Sequence, residues 1–199
     1  MGFDEAPKFA GLILAGGEGS RFGGPKAWAR LPDGRSFLEA CGATLREAGA
    51  SPIAATLPPA SDDPGIDGVE ALPLPETGLD MFASLLTGVR HLVSDRDWTR
   101  LAVIPVDHPL VQPRSVAVLA AVRSDAAVPT FDGKRGHPIC LSRSVVTKLL
   151  LGELGAGNLR EALQALDSVE VPVDDPGIIA NCNTPEALSE ALRVRGARR

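Results

Sequence analysis

The residues best suited to chemistry run Leu14-Ala15-Gly16-Gly17-Glu18-Gly19-Ser20-Arg21-Phe22-Gly23-Gly24-Pro25-Lys26, directly after an apolar run, Phe9 to Leu14. Glycines lack Cβ, so their N–H groups can approach an anion closely, and they accept the positive φ that a curling loop needs. Successive N–H groups in such a curl form a concavity for phosphate. Arg21 and Lys26 would add charge from two directions. This composition predicts a polyphosphate cradle rather than a plain connection.

Two familiar phosphate motifs do not fit. A Walker loop places Gly before the lysine and Ser or Thr after it, but Lys26 stands between Pro25 and Ala27. A Rossmann fingerprint begun at Gly17 finds Gly19 and then Phe22 in place of its third glycine.

A second candidate is Asp107, in Val103-Ile104-Pro105-Val106-Asp107-His108-Pro109. Ligands of open α/β sheets gather beyond the carboxyl ends of strands, which would put Asp107 on the same rim as the glycine loop. Magnesium suits one or two carboxylates combined with phosphate oxygens. An aspartate near proline also opens turns, and His108 reads as a turn residue.

The glycine segment resembles the opening signature of the nucleotidyltransferases typified by molybdenum-cofactor guanylyl- and cytidylyltransferases. Leu14 to Gly17, then Arg21 to Gly23, then Lys26 meet its fixed positions. The resemblance implies that Leu14, Ala15, Gly16, Gly17, Gly19 and Ser20 surround a nucleotide triphosphate, with Arg21 and Lys26 as catalytic cations. It also implies that Asp107, in the family's Asp-x-Pro position, carries Mg²⁺. Ser84-Leu85-x-x-Gly88 is similar to a helix-opening element beside the nucleotide, with Gly78 more distant than usual. Arg135-Gly136-His137-Pro138 resembles a segment of the cytidylyltransferase branch, which assigns Arg135 and His137 to the acceptor. Asn181-Cys182-Asn183-Thr184-Pro185 matches the closing element. Residues separated by one share a side of an extended strand, so Asn181 and Asn183 would both face the acceptor. Amides bind magnesium less well than carboxylates, so the acceptor role suits them better than a metal clamp. The family's Gly-Asp-x-Gly loop is replaced by Gly155-Ala156-Gly157-Asn158.

Elements must bring these residues together. Apolar runs recur at 9–14, 53–56, 101–106, 126–129 and 169–173, with helical spacing between most of them. That alternation predicts an α/β fold, a Rossmann-like three-layer sandwich with a mostly parallel sheet. The resemblance makes it nucleotide-diphospho-sugar transferase-like. Ser36 and Glu39 form a capping box, Gly49 is placed to end that helix, and Thr184-Pro185-Glu186 opens the last one. Residues 57–75, rich in Pro, Asp and Gly, read as an ordered surface excursion. A single NTP-transferase domain over 1–199 is expected, with its core at 7–190 and a frayed basic tail at 191–199.

The chain has 199 residues, 44% hydrophobic and 23% charged, and a net charge of −5. That sign disfavours nucleic-acid or anionic-membrane partners. Cys41, Cys140 and Cys182 are too scattered for a zinc site or disulfide framework. No signal peptide or membrane-length run is read, so the cytoplasm is the expected location.

The expected reaction is transfer of a nucleoside monophosphate from CTP or GTP to a phosphorylated acceptor, with pyrophosphate released. The resemblance names molybdopterin as that acceptor and a molybdenum enzyme as a downstream partner. A sugar phosphate or other phosphomonoester is the alternative acceptor. A non-catalytic nucleotide- or cofactor-binding chaperone is the alternative class.

Overall fold

A computed structural model describes residues 8–17, 24–95, 97–155, 157–164 and 166–196. In chain order the elements are β1 (Phe9–Leu14), a 3₁₀ turn (Lys26–Trp28), α1 (Phe37–Glu47), β2 (Ala50–Leu57), β3 (Glu70–Pro73), α2 (Met81–Leu92), β4 (Arg100–Pro105) and α3 (Pro113–Ala121). Next come β5 (Ala126–Phe131), β6 (Lys134–Arg135), β7 (Ile139–Ser142), α4 (Arg143–Leu150), α5 (Leu159–Gln164), β8 (Ser168–Pro172), a second 3₁₀ turn (Pro176–Ile179) and α6 (Pro185–Gly196).

One mixed sheet runs β3-β2-β1-β4-β7-β5-β6, with β8 paired to β5. β3, β2, β1 and β4 are mutually parallel, as are β5 and β8. β7 lies antiparallel between β4 and β5. β1 and β4 are buried along their whole length, as strands covered on both faces should be. Their side chains alternate between two cores. Ile13, Ala102 and Ile104 pack with α1 and α3 residues such as Leu38, Leu45, Val116 and Leu119. Leu12, Leu101 and Val103 pack with Leu85 and Val89 of α2 and with Val145 and Leu149 of α4. The result is the expected helix–sheet–helix sandwich.

The local signals act as read. Ser36 Oγ accepts from Glu39 N at 3.1 Å while the Glu39 carboxylate accepts from Ser36 N. Gly49 leaves α1 at φ +95°, and Thr184 Oγ1 caps α6 at Ala187 N. Two readings change. Residues 57–75 include the edge strand β3, which pairs in parallel with Ala54–Leu57. The basic tail is helical as far as Gly196, and Arg193 holds Glu190 one turn back.

The segment between β6 and β7 decides the site's far wall. β6 pairs with Thr130 and Phe131 of β5, and β7 with Ala126 and Ala127, so Gly136, His137 and Pro138 interrupt one antiparallel partner. A Cβ on Gly136 would collide with the backbone carbonyl of Ile178, so only glycine permits this crossing. His137 N–H then donates to Ile178 O at 2.9 Å. The 3₁₀ turn carrying Ile178 is fixed from below by buried Asp175. That carboxylate accepts from Gly177 N, Gln112 N and Ser115 Oγ at 2.9, 2.8 and 2.8 Å.

Candidate active site

β1 and β4 are parallel neighbours in register, Leu14 opposite Pro105, so the residues just past each strand emerge on one rim. Val106 N–H donates to Leu14 O at 3.0 Å, and Ala15 N–H to Thr56 O at 3.0 Å, extending the ladder beyond the strand ends. A cavity of about 240 Å³ opens there, lined by Leu14, Ala15, Gly16, Gly17, Lys26, Ser84 and Asp107 among others. Residues far apart in sequence thus face one space. Gly19, Ser20 and Arg21 lie outside the described residues.

Gly16 has a steric reason to be glycine. A Cβ there would strike Leu74 Cδ1 and lie 3.3 Å from Ser84 Oγ. Ser84 is buried in the first turn of α2, its hydroxyl donating to Asp80 O at 3.1 Å. Asp80 caps that helix through Ala83 N at 2.7 Å, a signal the sequence reading passed over.

Lys26 crosses the cavity. Its ammonium lies 3.1 Å from Asp107 Oδ2 and also donates to Asn183 Oδ1. Their side chains are only 24% and 16% exposed for Lys26 and Asp107, so this pair is screened less than a surface pair. Asn183 arrives by main-chain docking, because Cys182 N–H donates to Asp107 O at 2.8 Å. Tight turns, Asn181 N to Ile179 O and Asn183 N to Asn181 O, replace the extended strand expected here. The two amides therefore do not share a strand face. Asn183 is half-buried against Lys26, whereas Asn181 is exposed.

The Lys26 ammonium therefore sits between a carboxylate and an amide oxygen. Hard oxygen donors of this kind suit a hard divalent ion. Among the described residues no three His, Cys, Asp or Glu side chains converge on a metal position. A divalent ion here would take Asp107 from the protein and most remaining ligands from phosphate and water.

His108 does more than turn the chain. It is buried, with Nε2 3.8 Å from Asp107 Oδ1 and its ring 4.8 Å from that of His137. Burial pushes the His137 pKa down to about 4, helped by neighbouring His108 and opposed by Asp107. Burial also lowers His108, against the pull of Asp107. Both imidazoles are neutral at pH 7, and neither Nδ1 has a hydrogen-bond partner among the described residues. The three thiols are buried, and desolvation pushes Cys140 up to about 12 and Cys182 to about 11. Protonated thiols are poor nucleophiles.

A second chamber of about 620 Å³ adjoins the first, sharing Leu14 and Met81. Arg135 and His137 line it, as do Asn158 and Arg160, which sequence reasoning did not single out. Asn158 carried a signal: its Oδ1 caps α5 at Glu161 N, the Asn-x-x-Glu spacing of a helix start. Arg135 is not a free cation. Its guanidinium holds Glu170 Oε1 at 2.6 Å, both side chains being exposed.

The family profile described as the MobA-like NTP transferase domain matches residues 11–170. This chain belongs to that family. A molybdenum cofactor guanylyltransferase from Xanthomonas euvesicatoria is 32% identical over 193 residues, 92% of this chain and 94% of the relative. Among solved structures, Rv0371c from Mycobacterium tuberculosis superposes with a TM-score of 0.73 at 21% identity, covering 94% and 98% of the two chains. A manganese complex of that protein gives a TM-score of 0.66 at 20% identity, with the same coverage. Molybdopterin-guanine dinucleotide biosynthesis protein A from Archaeoglobus fulgidus gives 0.64 at 21% identity, covering 94% and 99%. The nucleotide-diphospho-sugar transferase architecture is therefore the fold of this MobA-like chain. Among the described residues, no helix is long and apolar enough to cross a membrane.

Proposed function

We propose that this protein is a nucleotidyltransferase that joins a nucleoside monophosphate from GTP to the phosphate of molybdopterin, releasing pyrophosphate. The observation that carries this reading is the placing of Lys26 and Asp107 in one cavity with the backbone of Gly16 and Gly17. The curated relatives named as guanylyltransferases favour GTP. Arg135-Gly136-His137-Pro138 keeps CTP as the second reading, since Arg135, Gly136 and His137 line the adjoining chamber.

In this mechanism an acceptor phosphate oxygen forms a bond to the α-phosphorus as the bond to the β-bridging oxygen breaks. Asp107 would hold Mg²⁺, whose role is to neutralise phosphate oxygens and set their geometry. The N–H groups of Gly16 and Gly17 bind the phosphates, and Lys26 with Arg21 neutralises charge building on the leaving pyrophosphate. An acceptor phosphate is already ionised at neutral pH, so no general base is needed. The neutral His108–His137 pair adds no positive charge beside Asp107. The larger chamber, walled by Phe82, Leu85, Val128 and Ile139 with polar groups at its edge, fits a flat heterocyclic acceptor. A molybdenum enzyme that takes up the product is the proposed downstream partner.

Pyrophosphate release tests this. The protein with Mg²⁺ and molybdopterin should release pyrophosphate from GTP faster than from CTP, and neither nucleotide should react without acceptor. Release from CTP but not from GTP, with acceptor present, would select the second reading. Tight nucleotide binding with no release in any combination would indicate a binding protein, and release driven by sugar phosphates would change the acceptor class.

A further inference from the structure

The position of Asn183 has a consequence for the order in which the site fills. Lys26 Nζ lies 3.1 Å from Asp107 Oδ2 and donates to Asn183 Oδ1. Asn183 is tied to the aspartate through the main chain by Cys182 N–H on Asp107 O. Among the described residues, Asp107 supplies the one carboxylate lining this cavity; the ammonium holds its Oδ2, while Oδ1 lies 3.8 Å from His108 Nε2. A second cation on that carboxylate is opposed by the ammonium already there, because like charges in a partly buried site repel. We propose that Asn183 is a positioning residue that parks Lys26 on Asp107, making the lysine the resident cation of the ligand-free site. An arriving triphosphate draws the ammonium to its own oxygens and so frees the carboxylate for a divalent cation. Nucleotide and divalent cation then bind in a linked manner, each tightening the other by the same factor. This inference rests on the proposed role of Asp107 as the protein's cation ligand.

Asn183 suits the task because it is neutral. It fixes the ammonium in direction without adding a second negative charge, so the lysine can still be drawn away. An aspartate would hold it more firmly.

The test is manganese(II) binding to the full chain, read from the free-ion electron paramagnetic resonance signal without and then with GTP, the GTP arm taken relative to manganese and GTP without protein. Without nucleotide the wild-type protein should bind manganese weakly. Lys26→Met should bind it roughly tenfold more tightly, and Asn183→Ala roughly threefold, the scale of losing one partly screened ionic or polar contact. The double variant should match Lys26→Met alone, since Asn183 acts through the lysine. Asn183→Leu serves as a second variant, and thermal melts of each confirm folding. Weaker or unchanged manganese binding in both folded Asn183 variants would overturn the proposal. So would an Asn183 effect of equal size with and without Lys26. Failure of the underlying reading is distinguishable: Asp107→Asn would then leave manganese binding unaltered, with or without GTP.

Discussion

Gly136→Ala isolates the close crossing that forms the far wall of the site. The new Cβ would fall on the carbonyl carbon and oxygen of Ile178, which are backbone atoms and cannot swing aside. That carbonyl is tied on both sides, by His137 N–H at 2.9 Å and by the Asp175-anchored turn. Relief requires the two segments to part. Overpacking of this kind costs about 1–3 kcal/mol, and losing the His137 hydrogen bond adds about 1 kcal/mol. Together these reach about 2–4 kcal/mol, which lowers the melting temperature of a chain this size by roughly 4–16 °C. Gly24→Ala is the matched control, because its Cβ meets nothing within 4 Å, and it should melt within about 2 °C of wild type. Calorimetric melts of the three proteins are the assay. A Gly136→Ala protein that melts with the control would refute the steric reasoning, and with it the explanation of how His137 is held beside His108.

Asp107→Asn keeps the shape of the site but removes the carboxylate, and it should lower turnover by about two to three decades, the usual scale for an electrostatic group aimed at a transition state. Its stability should fall by only about 1 kcal/mol, because Lys26 keeps Asn183 as a partner; parallel turnover assays and melts check the split. Arg21→Ala should lose activity on the same scale by pyrophosphate assay, its contribution being confined to the leaving group. Lowering pH should destabilise the fold between pH 6.5 and 4. His137 has its pKa depressed to about 4 in the fold, so across that window the unfolded chain binds the extra proton and gains stability from it. The loss approaches roughly 3 kcal/mol at full protonation, and a His137→Asn protein should show a flatter acid limb in urea titrations at successive pH values.

Much of the architecture was legible because the parallel strands bury both faces. Runs such as 9–14 and 101–106 are apolar almost without a break, and that alone marks them. β3 was not legible for the opposite reason: Glu70–Pro73 is an edge strand with exposed ends, so its composition is that of a loop. The Gly16–Asp107 pairing came from topology, since adjacent parallel strands deliver their ends to one rim. The asparagines could not be placed by spacing, because the main-chain turns at 179–183 break the strand alternation that the reading assumed. The contact of Lys26 with Asn183 spans 157 positions and leaves no local trace. His108 passed for a turn residue because its neighbour is another proline-flanked histidine far along the chain, and only the fold brings their rings together.

A triphosphate lying between the glycine backbone and Asp107 is the arrangement on which the proposed chemistry depends. Anomalous diffraction from a crystal of the protein with manganese and a non-hydrolysable GTP analogue would reveal it. The expected result is a manganese peak within coordination distance of an Asp107 carboxylate oxygen, bridging to phosphate oxygens that rest on Gly16 and Gly17, with Lys26 turned onto the nucleotide. A peak remote from Asp107, or a nucleotide whose phosphates lie in the larger chamber beside Arg160, would contradict it.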